Sequence, residues 1–161
     1  MSEDSFKSQE QLVQHKWKTG MCPILNGITF GNGKMIELEL TVMPSDDTVL
    51  RSQILRETNV ETFNTKHADY WTEIISLCEF CIIDRDLRIT GGEGGFGSDG
   101  FVAVSHISDE QLVWVAFFEN SNPFVQISIN NNASEILGIT TLGHIWQFPI
   151  AHPEQVKTLK M

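Results

Sequence analysis

Positive charge is scarce in this chain. Its 161 residues include 11 Lys and Arg against 21 Asp and Glu, which gives a formal net charge of −10. Nucleic acids and anionic membrane surfaces are bound mainly through Lys and Arg, so we expect neither as a partner. The same charge suits a basic protein, because complementary fields speed encounter. Acidic charge also keeps many bacterial cytosolic proteins soluble, so both explanations stay open at this point.

Long apolar segments and a cysteine framework are lacking as well. No run approaches the ~18 apolar residues of a membrane span, and residues 1–10 hold no apolar core of a signal peptide. Three cysteines do not make a disulfide framework. We therefore expect a cytoplasmic protein with one domain over residues 1–161. Residues 1–20 are expected to be a loosely ordered N-terminal segment with a short helix around 10–18.

The first half of the chain mixes strand and helix patterns. Apolar and polar side chains alternate over residues 34–43, which predicts a strand with one core face and one acidic face that carries Glu37 and Glu39. Pro44 is expected to end this strand. Residues 48–58 and 65–78 place apolar side chains at helical spacing, so both are predicted to be helices.

The second half reads as consecutive short strands separated by turns. Strands are predicted over residues 101–107, 112–119, 124–129, 136–141 and 144–150, and a helical turn follows at Pro153. We therefore predict an α+β domain, in which one or two helices pack on one face of an antiparallel β-sheet meander of about five to seven strands.

A glycine-rich loop over residues 91–100 contains a G-x-G-x-x-G pattern at Gly95–Gly100. A dinucleotide site requires a helix after this pattern, but a strand follows here. A kinase phosphate loop requires a downstream Lys, and no Lys occurs between Lys66 and Lys157. The loop is therefore interpreted as a hairpin or recognition loop, with Glu93 and Asp99 as contact residues.

Three short polar patterns give little support for metal binding or catalysis. Cys78 and Cys81 form a C-x-x-C pair without a second pair of zinc ligands, so we interpret them as small buried hydrophobes. Asp84 and Asp86 flank an arginine and suit a solvated turn better than a metal site. Ser105 and His106 are neighbours and would point to opposite faces of a strand. We expect no metal, no cofactor and no catalytic residues.

The C-terminal third resembles a known class of protein. Residues 136–150, which run ILGITTLGHIWQFPI, followed by His152, Pro153 and Glu154, are similar to the ending of small bacterial immunity proteins. These proteins neutralise toxins of polymorphic or contact-dependent growth inhibition systems. The resemblance implies a one-to-one protein partner, often a basic nuclease toxin, and it transfers no site residues.

The leading hypothesis is therefore a non-enzymatic protein that binds a cognate basic toxin. Acidic residues in the predicted loops of the second half are the candidate contacts with this toxin. These predicted partner-binding residues are Asp84, Asp86, Glu93, Asp99, Asp109 and Glu110. The alternative is a small hydrolase or transferase that uses His106 or His144 with a nearby carboxylate. A scaffold that associates through a sheet edge is a third possibility.

Overall fold

The computed structural model describes residues 3–42 and 48–159. These residues form two α-helices, α1 (Glu3–Lys18) and α2 (Val60–Lys66), together with thirteen β-strands and two short 3-10 turns at Ile83–Arg85 and Pro153–Gln155. The strands are β1 (Met21–Pro23), β2 (Gly27–Phe30), β3 (Lys34–Val42), β4 (Thr48–Asn59), β5 (Trp71–Glu73), β6 (Ile75–Ile82), β7 (Leu87–Glu93), β8 (Gly100–His106), β9 (Leu112–Phe118), β10 (Phe124–Ile129), β11 (Glu135–Thr140), β12 (Ile145–Pro149) and β13 (Lys157–Leu159).

Eleven of the strands form one antiparallel sheet, and β1 and β5 form a separate two-stranded ribbon. The order in the sheet is β10-β11-β12-β13-β4-β3-β2-β9-β8-β7-β6. A twisted sheet of this width curls, and its two end strands come together. Sγ of Cys78 on β6 lies 3.6 Å from the carbonyl oxygen of Phe124 on β10. The sheet is therefore a nearly closed barrel.

The interior of the barrel is filled by apolar side chains, and five large aromatic residues form its centre. These are Trp114, Phe118, Phe124, Trp146 and Phe148. The ring centroids of Phe118 and Trp146 are 4.8 Å apart, and the indole N–H of Trp114 donates to the carbonyl of Ile150 at 2.9 Å. Because side chains occupy the interior, surfaces for binding must lie outside the barrel or at its ends.

A second apolar cluster covers part of the outer face of the sheet. Val13 of α1 and Phe63 of α2 pack there against residues such as Phe101 and Phe117. The buried side chain of Gln14 fixes α1 to the sheet, because its amide bonds both the N–H and the carbonyl of Leu112, at 2.8 and 3.0 Å. The N-terminal segment that was expected to be loosely ordered thus contains a packed helix.

The α+β class and the antiparallel sheet are confirmed, whereas the strand count is wrong. The sheet has eleven strands, whereas about five to seven were predicted for a two-layer domain. The predicted meander holds within three runs of neighbours, β2–β4, β6–β9 and β10–β13. The additional strands include β4, β5 and β6, which take up residues predicted to be helical, and β7, which enters the predicted glycine loop.

The helices predicted over residues 48–58 and 65–78 are wrong. Residues 48–58 belong to β4, which pairs with β3 on one side and β13 on the other, and Ile54 and Leu55 are each 53% exposed. Helix α2 begins earlier than residue 65, because the side chain of Asn59 caps it by accepting from the N–H of Thr62 at 2.8 Å. The rest of 65–78 enters β5 and β6. Strand pairing therefore outweighs the local helical spacing.

The strands predicted after residue 100 are confirmed to within about two residues. The glycine loop is shorter than predicted, because β7 extends to Glu93. The predicted stop at Pro44 lies outside the described residues. Among the residues that are described, no helix combines the length and apolar character needed to cross a membrane.

Candidate edge groove for a protein partner

A groove of about 520 Å³ runs along strand β3 at one end of the barrel. We call it the edge groove. Its floor is apolar and its rim is acidic. The floor contains Leu38, Leu40, Leu50, Phe118 and Trp146, and the rim contains Glu37, Glu39 and Glu119.

The alternating sequence of β3 creates this contrast. Leu38 belongs to the interior cluster and Leu40 packs against it, whereas Glu37 and Glu39 alternate with them and point outward. The period-two pattern predicted for this strand is thus confirmed, except that Met35 on the outer face is buried beneath the helices. The wet, acidic part of the outer face is the part that lines the edge groove.

Asn26 organises the groove at the point where β2 begins. Its backbone carbonyl accepts from the N–H of Leu38 at 2.8 Å, and its side-chain oxygen accepts from the N–H of Glu119 at 2.8 Å. One asparagine therefore joins the edge of β3 to the end of β9 and holds Glu119 beside the apolar floor.

The charge of the groove is negative. Glu37 pairs with Arg56 at 3.1 Å, but the Arg56 side chain is 68% exposed, and such surface pairs contribute little and exchange readily. Neither Glu39 nor Glu119 has an ion-pair partner among the residues the structure describes. An apolar floor beneath free carboxylates suits the aliphatic stem and cationic end of Lys or Arg.

The structure brings four of the six predicted partner-binding acids together elsewhere. Asp84 and Asp86 lie in the turn between β6 and β7, and Asp109 and Glu110 lie in the turn between β8 and β9. We call these four acids the turn cluster. Asp86 joins the two turns, because its carboxylate accepts from the hydroxyl and the N–H of Ser108 at 2.6 and 2.9 Å.

Internal contacts already engage most of the turn cluster. The hydroxyl of Ser108 is the main cause that lowers the pKa of the Asp86 carboxyl, and the nearby His106 contributes. Asp109 accepts from the N–H of Gln111 at 2.9 Å, and Glu110 lies 3.9 Å from the guanidinium of Arg88. These contacts give the carboxylates a role in shaping the turns.

The remaining two predicted contacts differ in accessibility. Glu93 ends β7 and is half-buried. Asp99 is fully buried and accepts from the N–H groups of Gly94 and Phe96 at 2.9 and 3.3 Å, so it shapes the glycine loop from inside. Its carboxylate is therefore covered in the free protein.

The histidines named in the enzyme alternative lie at the surface. Nδ1 of His106 is 3.7 Å from the Asp86 carboxylate and 3.3 Å from the Asp86 carbonyl, and about half of each side chain is covered, with 43% and 45% exposed. Catalytic acid–base pairs typically lie in clefts, where burial and neighbouring charges tune their pKa values. His144 is exposed in the turn before β12. These contacts therefore do not provide the enclosed histidine–carboxylate pair that the enzyme alternative requires.

The cysteines of the C-x-x-C pair lie on strand β6, not at the end of a helix as predicted. Cys78 faces Gly91 and Cys81 faces Arg88 in the register with β7, and three residues of separation place the two side chains on opposite faces. Burial raises the pKa values of the Cys78 and Cys22 thiols. The described part of the chain contains no group of three His, Cys, Asp or Glu residues placed to bind a metal.

The acids of the groove rim are absent from the predicted contact set. Glu37 and Glu39 had a usable signal, because the alternation over 34–43 predicted an acidic strand face. Glu119 had none, since its position beside the groove depends on the contact with Asn26, 93 residues away in sequence. Comparison with known proteins adds no further residue: the chain matches no protein-family model, and no curated protein matches it.

Proposed function

We propose that this protein is a non-enzymatic binding protein whose edge groove takes up a basic protein. More specifically, we propose an immunity protein that sequesters and neutralises a cognate basic toxin domain in the cytoplasm. The observation that supports the proposal is the acidic rim around an apolar floor, in a chain with a net charge of −10.

The two parts of the groove would contribute differently to binding. The rim carboxylates attract a basic partner from a distance and raise the association rate, an effect that salt weakens. Phe118 and Trp146 form the base of the floor but are only 4% and 5% exposed. The apolar contacts with a partner would therefore fall mainly on the half-buried side chains of Leu40 and Leu50. A partner that fills the groove would therefore bind with a salt-dependent association rate and a dissociation rate set by the floor.

A basic toxin fits this surface for a chemical reason. A nuclease needs Lys and Arg to hold phosphate, so its substrate surface is cationic. A carboxylate surface competes with nucleic acid for the same side chains. The resemblance of residues 136–154 to immunity proteins supports the same class, and Trp146 within that segment lines the edge groove.

The test is affinity capture of the tagged protein from lysate of its source, with washes at low and high salt and identification by mass spectrometry. We expect one stoichiometric basic protein that is retained at low salt and weakened at high salt. The toxic activity of the purified partner should disappear when this protein is added in equimolar amount. A partner that binds but stays active would contradict the immunity role, and no retained protein would contradict the binding role.

A further inference from the structure

We infer that the partner binds by adding an extended segment, as an antiparallel strand, to the free edge of β3 beside residues 39–42. The inference rests on the proposed function for the identity of the partner. It adds the mode of recognition and the side-chain pattern of the segment that the edge groove accepts.

Strand β3 extends beyond the part that is paired with its neighbour β2. Strand β2 pairs with β3 only from Gly27 to Thr29, opposite Glu37 to Met35. The next backbone contact is the N–H of Leu38, which donates to the carbonyl of Asn26 at 2.8 Å. The chain then turns away, because the N–H of Ile24 donates to the carbonyl of Tyr70. Beyond Leu38, this side of β3 has no paired strand in the described part of the chain.

The free backbone groups of β3 point toward the edge groove. In an antiparallel strand, the N–H and C=O of one residue point to the same side, and alternate residues share that side. The N–H of Leu38 points toward Asn26, on the side of β3 where β2 pairs. The N–H and C=O of Leu40 therefore point to the same side. That direction is the edge groove. An exposed pair of this kind is the template to which extended peptides add.

The two faces of β3 determine the side-chain pattern of a segment that pairs with it. Directly opposed residues in an antiparallel pair place their side chains on the same face. A residue opposite Leu40 would therefore enter the apolar floor, and a residue opposite Glu39 would lie on the acidic face. The groove accordingly selects a segment in which apolar residues alternate with Lys or Arg.

Charge argues against a second copy of this chain as the occupant. Edge-to-edge pairing of two β3 strands would place Glu37 and Glu39 of one copy on the same face as those of the other. Like charges across a strand pair are destabilising, and each copy carries a net charge of −10. A basic segment from another protein removes this repulsion.

The probe is a synthetic peptide of about seven residues that alternates valine and lysine, a length that covers the free edge. Two matched versions carry backbone N-methyl groups, on the valines in one and on the lysines in the other. In the antiparallel arrangement the valine N–H groups face β3 and the lysine N–H groups face away. Binding is measured by calorimetry and by amide shifts of the isotope-labelled full-length protein.

We expect the unmodified peptide to bind and to shift the amide signal of Leu40. Methylation of the valines should weaken binding by roughly tenfold or more, since it removes the bonds to β3. Methylation of the lysines should leave affinity within about twofold. A Glu37→Gln/Glu39→Gln variant should bind the unmodified peptide more weakly. Equal effects of the two methylations, or shifts confined to the turn cluster, would overturn the inference.

The outcomes separate the inference from the proposed function. If a basic protein is captured as proposed but the peptides show no alternation, the strand addition is wrong and the function stands. If the peptides behave as expected but no basic protein is captured, the edge accepts strands and the proposed function is wrong. Self-association of the free protein in light scattering, lost on substitution of Leu40 by Lys, would identify a second copy as the occupant and overturn the inference.

Discussion

At the scale of single residues, buried polar side chains decide the local structure. Asp99 and Gln14 are both buried, and each satisfies backbone groups that no strand or helix pairs. The sequence showed Asp99 only as an acid in a glycine-rich loop, a setting typical of exposed contacts. Its burial depends on the fold around it, so its role could not be predicted from the local pattern.

Asp99 supplies the first prediction. Substitution Asp99→Ala leaves the N–H of Gly94 without its acceptor, so the free energy of unfolding should fall by about 1–3 kcal/mol. Urea denaturation measures this loss. The control is Asp109→Ala in an exposed turn, for which we expect about 1 kcal/mol or less. Equal losses in the two variants would show that the buried carboxylate has no special role.

Asp86 supplies a pH-dependent prediction. Its pKa is lowered in the folded state, chiefly by the Ser108 hydroxyl, so its contribution to stability is present above the ordinary carboxyl pKa. That contribution is lost as the pH falls through the lowered value. Ser108→Ala should raise the pKa of Asp86 in a carbon-13 NMR titration of the carboxyl groups, whereas Ser98→Ala should not. An unchanged pKa in Ser108→Ala would contradict the assignment.

At the scale of secondary-structure elements, pairing partners decide what local spacing cannot. Strand β3 and strands β8 to β12 were predicted correctly, because each combines alternation or an apolar run with a turn signal, whereas β13 was not predicted. Strand β4 was not, since its apolar spacing also fits a helix and its identity depends on β3 and β13. Strand β13 is distant in the sequence, since Leu50 and Thr158 lie 108 residues apart. The pairing with β3 does not change the apolar spacing of β4 itself, so that spacing alone could not decide between helix and strand.

Helix α1 supplies the element-scale prediction. Gln14→Ala removes three hydrogen bonds to Gly31 and Leu112, and it leaves the N–H of Leu112 buried without an acceptor. We expect the variant to lose about 1–3 kcal/mol of unfolding free energy and to show faster amide exchange in α1. Gln11→Ala on the exposed side of the same helix is the control. Unchanged exchange in both variants would contradict the anchoring role of Gln14.

At the scale of the whole molecule, the filled interior separates stability from binding. Phe148 is fully buried among the central aromatic residues, so Phe148→Ala should cost about 3–5 kcal/mol of unfolding free energy. Phe96, which is 63% exposed in the glycine loop, is the control, and its replacement by Ala should change stability by about 0.5 kcal/mol or less. A small loss for Phe148→Ala, measured by urea denaturation, would contradict a tightly packed interior.

The candidate site shows the same division between local and distant information. The acidic character of the molecule was clear from composition, and the acidic face of β3 from alternation. The groove itself needs the end of β9, the beginning of β2 and Trp146 of β12 at one place. Because these segments meet only in the closed sheet, the sequence pointed instead to acids in loops, several of which are engaged internally.

One measurement tests the central claim, that the edge groove binds a basic partner, most directly. The dissociation constant of the captured partner is compared at low salt between two variants that each lose three negative charges. The groove variant is Glu37→Gln/Glu39→Gln/Glu119→Gln, and the turn variant is Asp84→Asn/Asp109→Asn/Glu110→Gln. We expect the groove variant to bind roughly tenfold or more weakly and the turn variant to bind almost as the wild type. Equal weakening in both variants, or weakening in the turn variant alone, would contradict the assignment of the groove.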